Sequence, residues 1–256
     1  MLLCVDIGNS HTALGLVRDG EVLDHWRVRT DERRTADEWG LLVEGLLVRA
    51  DTEDLGGIAL CATVPAVLHE WREMLETYYP GCPHVVVEPG IRTGVPVLMD
   101  NPREVGADRI VNALAASRLY EGPTVVVDFG TATTFDVVTG QGQYVGGAIA
   151  PGIEISLEAL GRRGAQLRKV ELLRPRSVIA KNTVEALQSG VLYGFASQVD
   201  GIVTRMAVEL GVDLADLTVV ATGSLAPLVV DECATLTDHR PLLTLLGLEL
   251  VFHRNT

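Results

Sequence analysis

The order of apolar and polar positions repeats along the chain. Residues 2–23 contain apolar runs that flank a polar loop and a turn, and residues 124–145 show the same order. In each copy the pattern predicts a strand, a loop and a hairpin of two further strands. The loops cover residues 6–12 and 128–134, and both begin Asp-x-Gly. This triplet is an ordinary turn signal by itself, but two copies with matched flanks predict a duplicated α/β domain with loops facing each other across a cleft.

Helix signals follow each hairpin. A capping box at residues 35–38 predicts a helix that ends near Arg49. Pro65 is expected to stand at the start of a second helix, which runs through Tyr79. Short apolar runs between the helices predict buried strands. These strands are expected at residues 58–61, 85–87 and 217–221.

A long helix is expected after Asn182, because apolar residues keep helical spacing from Val184 to Met206. Glycines inside a helix lower its stability, so those within it indicate close packing against a neighbour. They are Gly190, Gly194 and Gly201. The Gly-Pro pair at 122–123 predicts a boundary between two lobes, residues 1–121 and 122–256.

Composition and charge narrow the class of protein. The chain has 256 residues, of which 47% are hydrophobic and 21% charged, as in ordinary globular α/β proteins. A net charge of −13 argues against a nucleic-acid partner. No apolar run is long enough to span a bilayer, and the first residues lack a basic leader, so we expect a cytoplasmic protein without a membrane partner. The G-x-x-x-x-G-K-[ST] phosphate loop is absent from the sequence.

The two Asp-x-Gly loops carry chemistry that suits a metal–nucleotide complex. Glycine lets the backbone approach a ligand closely, and successive N–H groups in such a turn bind anions. Hydroxyl side chains in both loops add hydrogen-bond donors for phosphate. Asp6 and Asp128 would repel a phosphate unless a cation lies between them, so the loops predict Mg²⁺ or a similar hard ion. The hydroxyls are those of Ser10, Thr12, Thr131, Thr133 and Thr134.

A third polar segment, residues 101–109, leads into a helix with one apolar face. The spacing places Asp108 and Arg109 in the first turn, away from the buried stripe. Asp108 could accept the proton of an attacking hydroxyl while Arg109 holds an anionic group. The alternative is that Asp108 complements the helix dipole and Arg109 pairs with it. The motif alone leaves both interpretations open, and the repeats on either side of it favour the catalytic one.

Together these segments resemble the type III pantothenate kinases, of the superfamily that includes acetate kinase, Hsp70 and actin. The resemblance covers nearly the whole chain and rests on five motifs in the family's order. They are D-x-G-N-[ST] at 6–10, D-N-P-x-E-x-G-x-D-R at 100–109, D-x-G-T-A-T-T at 128–134, G-G-A-I-x-P-G at 146–152 and K-N-T at 181–183. It implies a duplicated actin-like, ribonuclease H-like fold with two lobes and mixed central sheets flanked by helices.

The resemblance also implies an activity, cofactors and residue roles. The activity is transfer of the ATP γ-phosphate to pantothenate, giving 4'-phosphopantothenate in coenzyme A biosynthesis, with Mg²⁺ and a monovalent cation (K⁺ or NH₄⁺), by a homodimer. The ATP-binding residues implied are Asp6, Ile7, Gly8, Asn9, Ser10, His11, Thr12, Ala13 and Thr131. Asp108 corresponds to the general base, Asp128 to the monovalent-cation ligand and Asp6 to a magnesium ligand. Pantothenate is expected to contact Met99, Gly106, Ala107, Asp108, Arg109 and, from the neighbouring subunit, Thr183.

One position departs from the family. Many members have Tyr where this chain has Met99, and a thioether cannot donate the hydrogen bond of a Tyr hydroxyl. Two alternatives therefore stand beside the kinase: a non-catalytic nucleotide-binding regulatory relative, and a kinase or phosphatase of the superfamily with another substrate. Joint retention of Asp6, Asp108, Arg109 and Asp128 argues against the non-catalytic relative.

Overall fold

A computed structural model describes residues 1–52, 54–163 and 170–256, with Arg163 described only by its backbone. The strands are β1 (Leu2–Ile7), β2 (His11–Arg18), β3 (Glu21–Arg29), β4 (Gly57–Ala62), β5 (His84–Val86), β6 (Thr124–Phe129), β7 (Ala132–Val138), β8 (Tyr144–Pro151), β9 (Thr218–Thr222) and β10 (Asp238–His239). The helices are α1 (Ala36–Arg49), α2 (Pro65–Tyr78), α3 (Ala107–Leu119), α4 (Ile153–Arg163), α5 (Thr183–Leu210) and α6 (Leu243–Asn255). Among these helices, none combines the length and apolarity needed to cross a bilayer.

The chain forms two compact units. The first unit comprises residues 1–96, 100–115 and 242–256, and the second comprises 97–99 and 116–241. This grouping differs from the expected division at 121/122 chiefly in the C-terminal helix α6, which belongs to the first unit. The physical reason is packing: the ring of Phe252 on α6 lies where a side chain on Gly57 would have to be.

The two units repeat one sheet topology. The strand orders are β3-β2-β1-β4-β5 and β8-β7-β6-β9-β10, read from equivalent edges. In each sheet the first three strands of the sequence pair antiparallel, whereas the later two pair parallel. β1 and β6 also share one burial pattern, with a partly exposed Asp as the next-to-last residue. The predicted α/β fold of two mixed sheets flanked by helices is confirmed.

In the first unit, α1 and α2 bury the main core against the sheet. The predicted capping box is present: Thr35 accepts from the backbone of Glu38, and the Glu38 side chain accepts from the backbone of Thr35. Trp39 on α1 and Trp71 on α2 are fully buried, with ring centroids 5.2 Å apart. Pro65 opens α2 as predicted.

Helix α6 packs within the first unit with little space between backbones. A side chain on Gly247 would collide with the Val111 carbonyl oxygen on α3. Beside this contact, the buried Thr244 hydroxyl donates to Asn112 at 2.8 Å. The apolar core of α6 and these polar contacts tie the end of the chain to α3 and the first sheet.

In the second unit, α5 packs on the apolar face of β6, β7 and β9. Asn182 caps α5 as predicted, and Gly211 ends it in a left-handed conformation. The expected close packing at the α5 glycines is not found: within the described residues, a Cβ on Gly190 or Gly194 would meet nothing within 4 Å, and one on Gly201 would touch only the tip of Arg205. That expectation was wrong for contacts inside this chain, because the glycine face of α5 is turned to the surface.

Candidate active site

The first Asp-x-Gly loop joins β1 to β2 as a tight turn. The Gly8 N–H donates to the His11 carbonyl at 3.1 Å. A Cβ on Gly8 would lie 3.0 Å from that same oxygen, a tight contact that a side chain could make only if the loop shifted by a few tenths of an ångström. From the end of β3, the Thr30 hydroxyl donates to the Gly8 carbonyl at 2.7 Å and lies 2.9 Å from the Thr12 hydroxyl. The loop is therefore held in place by Thr30, the residue that follows β3.

Side chains of this loop divide into exposed and buried groups. Asn9 and Ser10 are exposed, whereas His11 and Ala13 are partly buried. Ile7 and Thr12 are fully buried. The Thr12 hydroxyl is engaged with Thr30, so Ile7 and Thr12 can offer a ligand only their backbone groups. The polar side chains of this loop that are most exposed are those of Asn9 and Ser10.

Asp6, at the end of β1, sits beside a second carboxylate and a thiol. The Cys61 Sγ donates to Asp6 Oδ1 at 3.3 Å. Burial and the nearby Asp108 carboxylate raise the pKa of Asp6 to about 7, and the hydrogen bond from Cys61 partly opposes this rise. Burial and the same carboxylates raise the pKa of the Cys61 thiol well above its ordinary value, so the thiol keeps its proton at neutral pH.

Asp108 lies in the first turn of α3, as the sequence predicts. A Cβ on Gly106 would overlap Asp108 Oδ1, so a side chain at position 106 would displace this carboxylate. Burial raises the pKa of Asp108, and backbone hydrogen bonds together with the charge of Arg109 partly oppose the rise. The result is a carboxylate of raised basicity at a helix N-terminus, in the same unit as Asp6.

In the second unit, Asp128 occupies the position equivalent to Asp6. It is the next-to-last residue of β6, and the turn after β9 packs on it: Gly223 has φ +88°, and a Cβ there would overlap Asp128 Oδ1 and the Phe129 backbone. This turn therefore requires glycine at position 223. Thr131 follows in the loop, and its carbonyl accepts from the Gly152 N–H at 3.1 Å.

Two other hydroxyls of the second loop point into the protein. Thr133 is fully buried and its hydroxyl has no hydrogen-bond partner among the described residues, and the Thr134 hydroxyl donates to Asp136 at 3.0 Å. Their expected availability to a phosphate is therefore not supported by the structure. The cause is strand alternation in β7, which turns Thr133 into the core and Thr134 toward a buried carboxylate.

The remaining predicted substrate contacts belong to different elements of the chain. Met99 is partly buried in a short segment next to β8, where the Leu98 N–H donates to the Tyr144 carbonyl at 2.8 Å. Its sulfur lies 3.3 Å from the Cβ position of Gly146. Thr183 is the exposed first residue of α5. Gly106 and Ala107 lead into α3 next to Asp108.

The carboxylates of the first unit fit a divalent cation that arrives with a nucleotide. Within the described ranges, no three His, Cys, Asp or Glu side chains converge as a metal site. Asp6 and Asp108 supply two hard oxygen donors, and burial raises the pKa of both, so a bound cation would offset the cost of their ionised forms. Mg²⁺ is commonly bound by one or two carboxylates plus phosphate oxygens and waters, so this donor set suits it.

Two residues important to this geometry, Thr30 and Cys61, were missed from the sequence. They reach the Asp6 loop through strand pairing, as Gly223 reaches Asp128. The turn at 222–224 is visible in the sequence as Thr-Gly-Ser after a strand, a pattern that predicts either an ordinary strand-to-helix turn or a turn beneath an adenine base. Thr30 and Cys61 carry no local signal, because their partners are 22 and 55 residues away in the chain.

Comparison with known proteins adds an independent finding. The family model for type III pantothenate kinase matches residues 2–205. A type III pantothenate kinase of Nocardioides sp. is 72% identical over 255 residues, covering 99% of both chains. That of Thermobifida fusca is 63% identical over 259 residues, covering 100% of both. Among solved structures, the inorganic polyphosphate/ATP-glucomannokinase of Arthrobacter sp. strain KM has a TM-score of 0.56 at 15% identity, covering 100% of this chain and 99% of that one. That structure supports the fold alone.

Proposed function

This chain belongs to the type III pantothenate kinase family, and on that premise we propose how its own residues transfer the γ-phosphate of ATP to pantothenate. The observation that carries the proposal is the pair of partly buried carboxylates, Asp6 and Asp108, at the end of β1 and the start of α3. Neither the comparisons nor this geometry favours a non-catalytic relative.

Asp108 is proposed as the general base. Its carboxylate takes the proton of the pantothenate hydroxyl while that oxygen forms a bond to the γ-phosphorus and the bond to ADP breaks. A base is most effective when its pKa lies near the working pH, and burial shifts Asp108 in that direction. Arg109, the next residue, is proposed to hold the pantothenate carboxylate and so to orient the hydroxyl.

The loop at residues 6–13 is proposed to bind the phosphates of ATP. Its backbone is fixed by Gly8 and Thr30, and Asn9 and Ser10 present polar side chains at the surface. Fixed N–H groups bind anions without further ordering, which lowers the entropic cost of binding. Thr131 is proposed as a further ATP contact from its own unit. Gly106, Ala107 and Met99 are proposed to contact pantothenate.

Two cations are proposed to take part in the phosphoryl transfer. Asp6 would hold Mg²⁺, which supplies charge stabilisation for the transferring phosphoryl group when bound. Asp128 would hold K⁺ or NH₄⁺ through its carboxylate, whose Oδ1 lies against the glycine turn at position 223.

We further propose that the enzyme is a cytoplasmic homodimer. A groove of about 390 Å³ lies between α4 and α5 and includes the exposed Gly190 and Gly194. Phe195 and Leu160 line the same groove. Glycines on an exposed helix face let a second helix approach closely, so a second copy would explain both the groove and the glycines. Thr183, at the start of the same helix, is proposed to contact pantothenate bound to the neighbouring subunit.

The first experiment measures ATP-dependent phosphorylation of pantothenate in Mg²⁺, with and without K⁺, for the wild type and Asp108→Asn. We expect turnover that depends on K⁺ and a fall in kcat of about 10²- to 10⁴-fold in the variant, as is typical for loss of a general base. Asp37→Asn is the matched control, because Asp37 stands in the first turn of α1 and shares only the helix-dipole role. Equal effects of both variants on kcat would refute the role of Asp108 as a base.

A further inference from the structure

Cys61 is the buried neighbour of Asp6. It lies near the end of β4, which pairs parallel to β1, and the register places Cys61 directly beside Asp6. In a parallel pair, residues in register project to the same face of the sheet. Both residues therefore stand at the carboxyl edge of the first sheet, where strands of open α/β sheets place ligand-binding side chains.

The thiol of Cys61 is placed to orient the Asp6 carboxylate. The side chain is fully buried, and its Sγ donates to Oδ1 of Asp6 at 3.3 Å. The terminal torsion of an aspartate has broad energy wells, so the carboxylate needs a partner to fix its rotation. A thiol is a weak donor, but an apolar side chain of the same size would supply no donor.

Repulsion between Asp108 and Asp6 makes the orientation of the Asp6 carboxylate depend on this hydrogen bond. The negative charge of Asp108 acts on Asp6. Without a donor on Oδ1, the Asp6 carboxylate would be free to rotate in response to that charge. With the donor, one oxygen is engaged by the protein and the other is left for a ligand.

We propose that Cys61 is a positioning residue of this kinase, whose thiol holds Asp6 Oδ1 and thereby sets the affinity of the enzyme for the magnesium–nucleotide complex. The inference rests on the proposed role of Asp6. It adds a residue outside the loop at 6–13 and the segment at 100–109, and it acts through Asp6 without touching the substrate.

The test compares Cys61→Val, an apolar side chain larger by one carbon atom that removes the donor, with Cys61→Ser, which keeps a donor. Binding of ATP is measured by calorimetry with Mg²⁺ and again in EDTA, and KM is measured for both substrates. We expect Cys61→Val to weaken Mg-ATP binding and raise KM for Mg-ATP by about 10-fold, the effect of one hydrogen bond to a charged group. Binding of metal-free ATP and KM for pantothenate should change less than about 2-fold, and Cys61→Ser should restore most of the loss.

Cys4→Val is the matched control. Cys4 is an equally buried thiol of the same sheet, two residues before Asp6 on β1. We expect the Cys4→Val variant to bind Mg-ATP as the wild type does. The inference is overturned if Cys61→Val binds Mg-ATP normally, if it weakens ATP binding equally with and without Mg²⁺, or if Cys4→Val shows the same loss.

The Asp6→Asn variant distinguishes failure of the Cys61 inference from failure of the proposed function. If Asp6→Asn loses Mg-ATP affinity and Cys61→Val does not, only the role of Cys61 fails. If Asp6→Asn itself binds Mg-ATP normally, the proposed magnesium role of Asp6 fails, and the role of Cys61 fails with it. Should Cys61→Val not fold, as judged by circular dichroism, Cys61→Ala provides the donor-free variant for the same comparison.

Discussion

At the scale of single residues, Asp6 and Asp108 make the first unit less stable than an apolar site would be. Burial shields each carboxyl group from much of the surrounding water, and each has a raised pKa chiefly for that reason. Asp6 also faces the charge of Asp108. This unfavourable charge remains until a cation binds. Reduced stability of this kind is common at functional sites.

The raised pKa of Asp6 predicts how stability depends on pH. Between its ordinary pKa of 3.8 and its folded value of about 7, the folded protein keeps the proton and the unfolded chain does not. The free energy of unfolding without ligand should therefore fall as pH rises through this window. Asp6→Asn removes the effect, so the variant should match the wild type near pH 4 and exceed it by about 2 to 4 kcal/mol at pH 8.

Urea unfolding of both proteins from pH 4 to 8 checks this expectation. The exposed Asp24 of β3 provides the control, since Asp24→Asn should leave the pH profile of the wild type unchanged. A stability difference between Asp6→Asn and the wild type that is the same at every pH would contradict the titration and point to packing instead.

At the scale of elements, α6 shows how a helix near the end of the chain completes the first unit. Its apolar residues face β1, β2 and β4, and Gly247 lets its backbone approach α3. No motif in the sequence analysis marked this helix. Its placement depends on the space left by Gly15, Gly57 and Gly247, where side chains would meet Leu245, Phe252 and Val111.

Two helical glycines should respond in opposite ways to the same substitution. Gly247→Ala places a Cβ against the Val111 backbone, which cannot move as a side-chain tip can, and we expect a loss of about 1 to 3 kcal/mol. Gly45→Ala, on the exposed face of α1 with nothing within 4 Å, should gain about 0.5 to 1 kcal/mol. Denaturant unfolding measures both, and a gain in stability for Gly247→Ala would disprove the close packing of α6.

At the scale of the whole molecule, the exposed glycine face of α5 connects to the proposed homodimer. The substitution Gly190→Arg would place a charged side chain in the groove. It should therefore shift the protein from dimer to monomer, as measured by light scattering. Circular dichroism should show a folded chain, because this position has no close neighbour within the described part of its own chain. If Thr183 acts across the dimer, KM for pantothenate should rise as the dimer is lost.

Val208→Arg is the control for Gly190→Arg. Val208 is exposed on the same helix but does not line the groove. The Val208→Arg substitution adds the same charge as Gly190→Arg and should leave the dimer intact. A Gly190→Arg protein that remains a dimer would contradict the proposal that this groove is the interface.

The sequence by itself determined the duplicated fold, the helices with capping signals and the positions of Asp6, Asp108 and Asp128. Each of these depends on local information: strand alternation, the capping box at Thr35, the Asn182 cap, or a short motif. The family was likewise recognisable from the order of five motifs, and the match over residues 2–205 confirms it.

Only the tertiary structure decided which residues support those positions. Thr30, Cys61 and Gly223 meet their partners through strand pairing, and α6 joins the first unit across more than a hundred residues of chain. The same structure turned the hydroxyls of Thr12 and Thr134 toward the protein interior. Such contacts depend on sheet register and packing between distant segments, and no local pattern of apolar and polar residues specifies them.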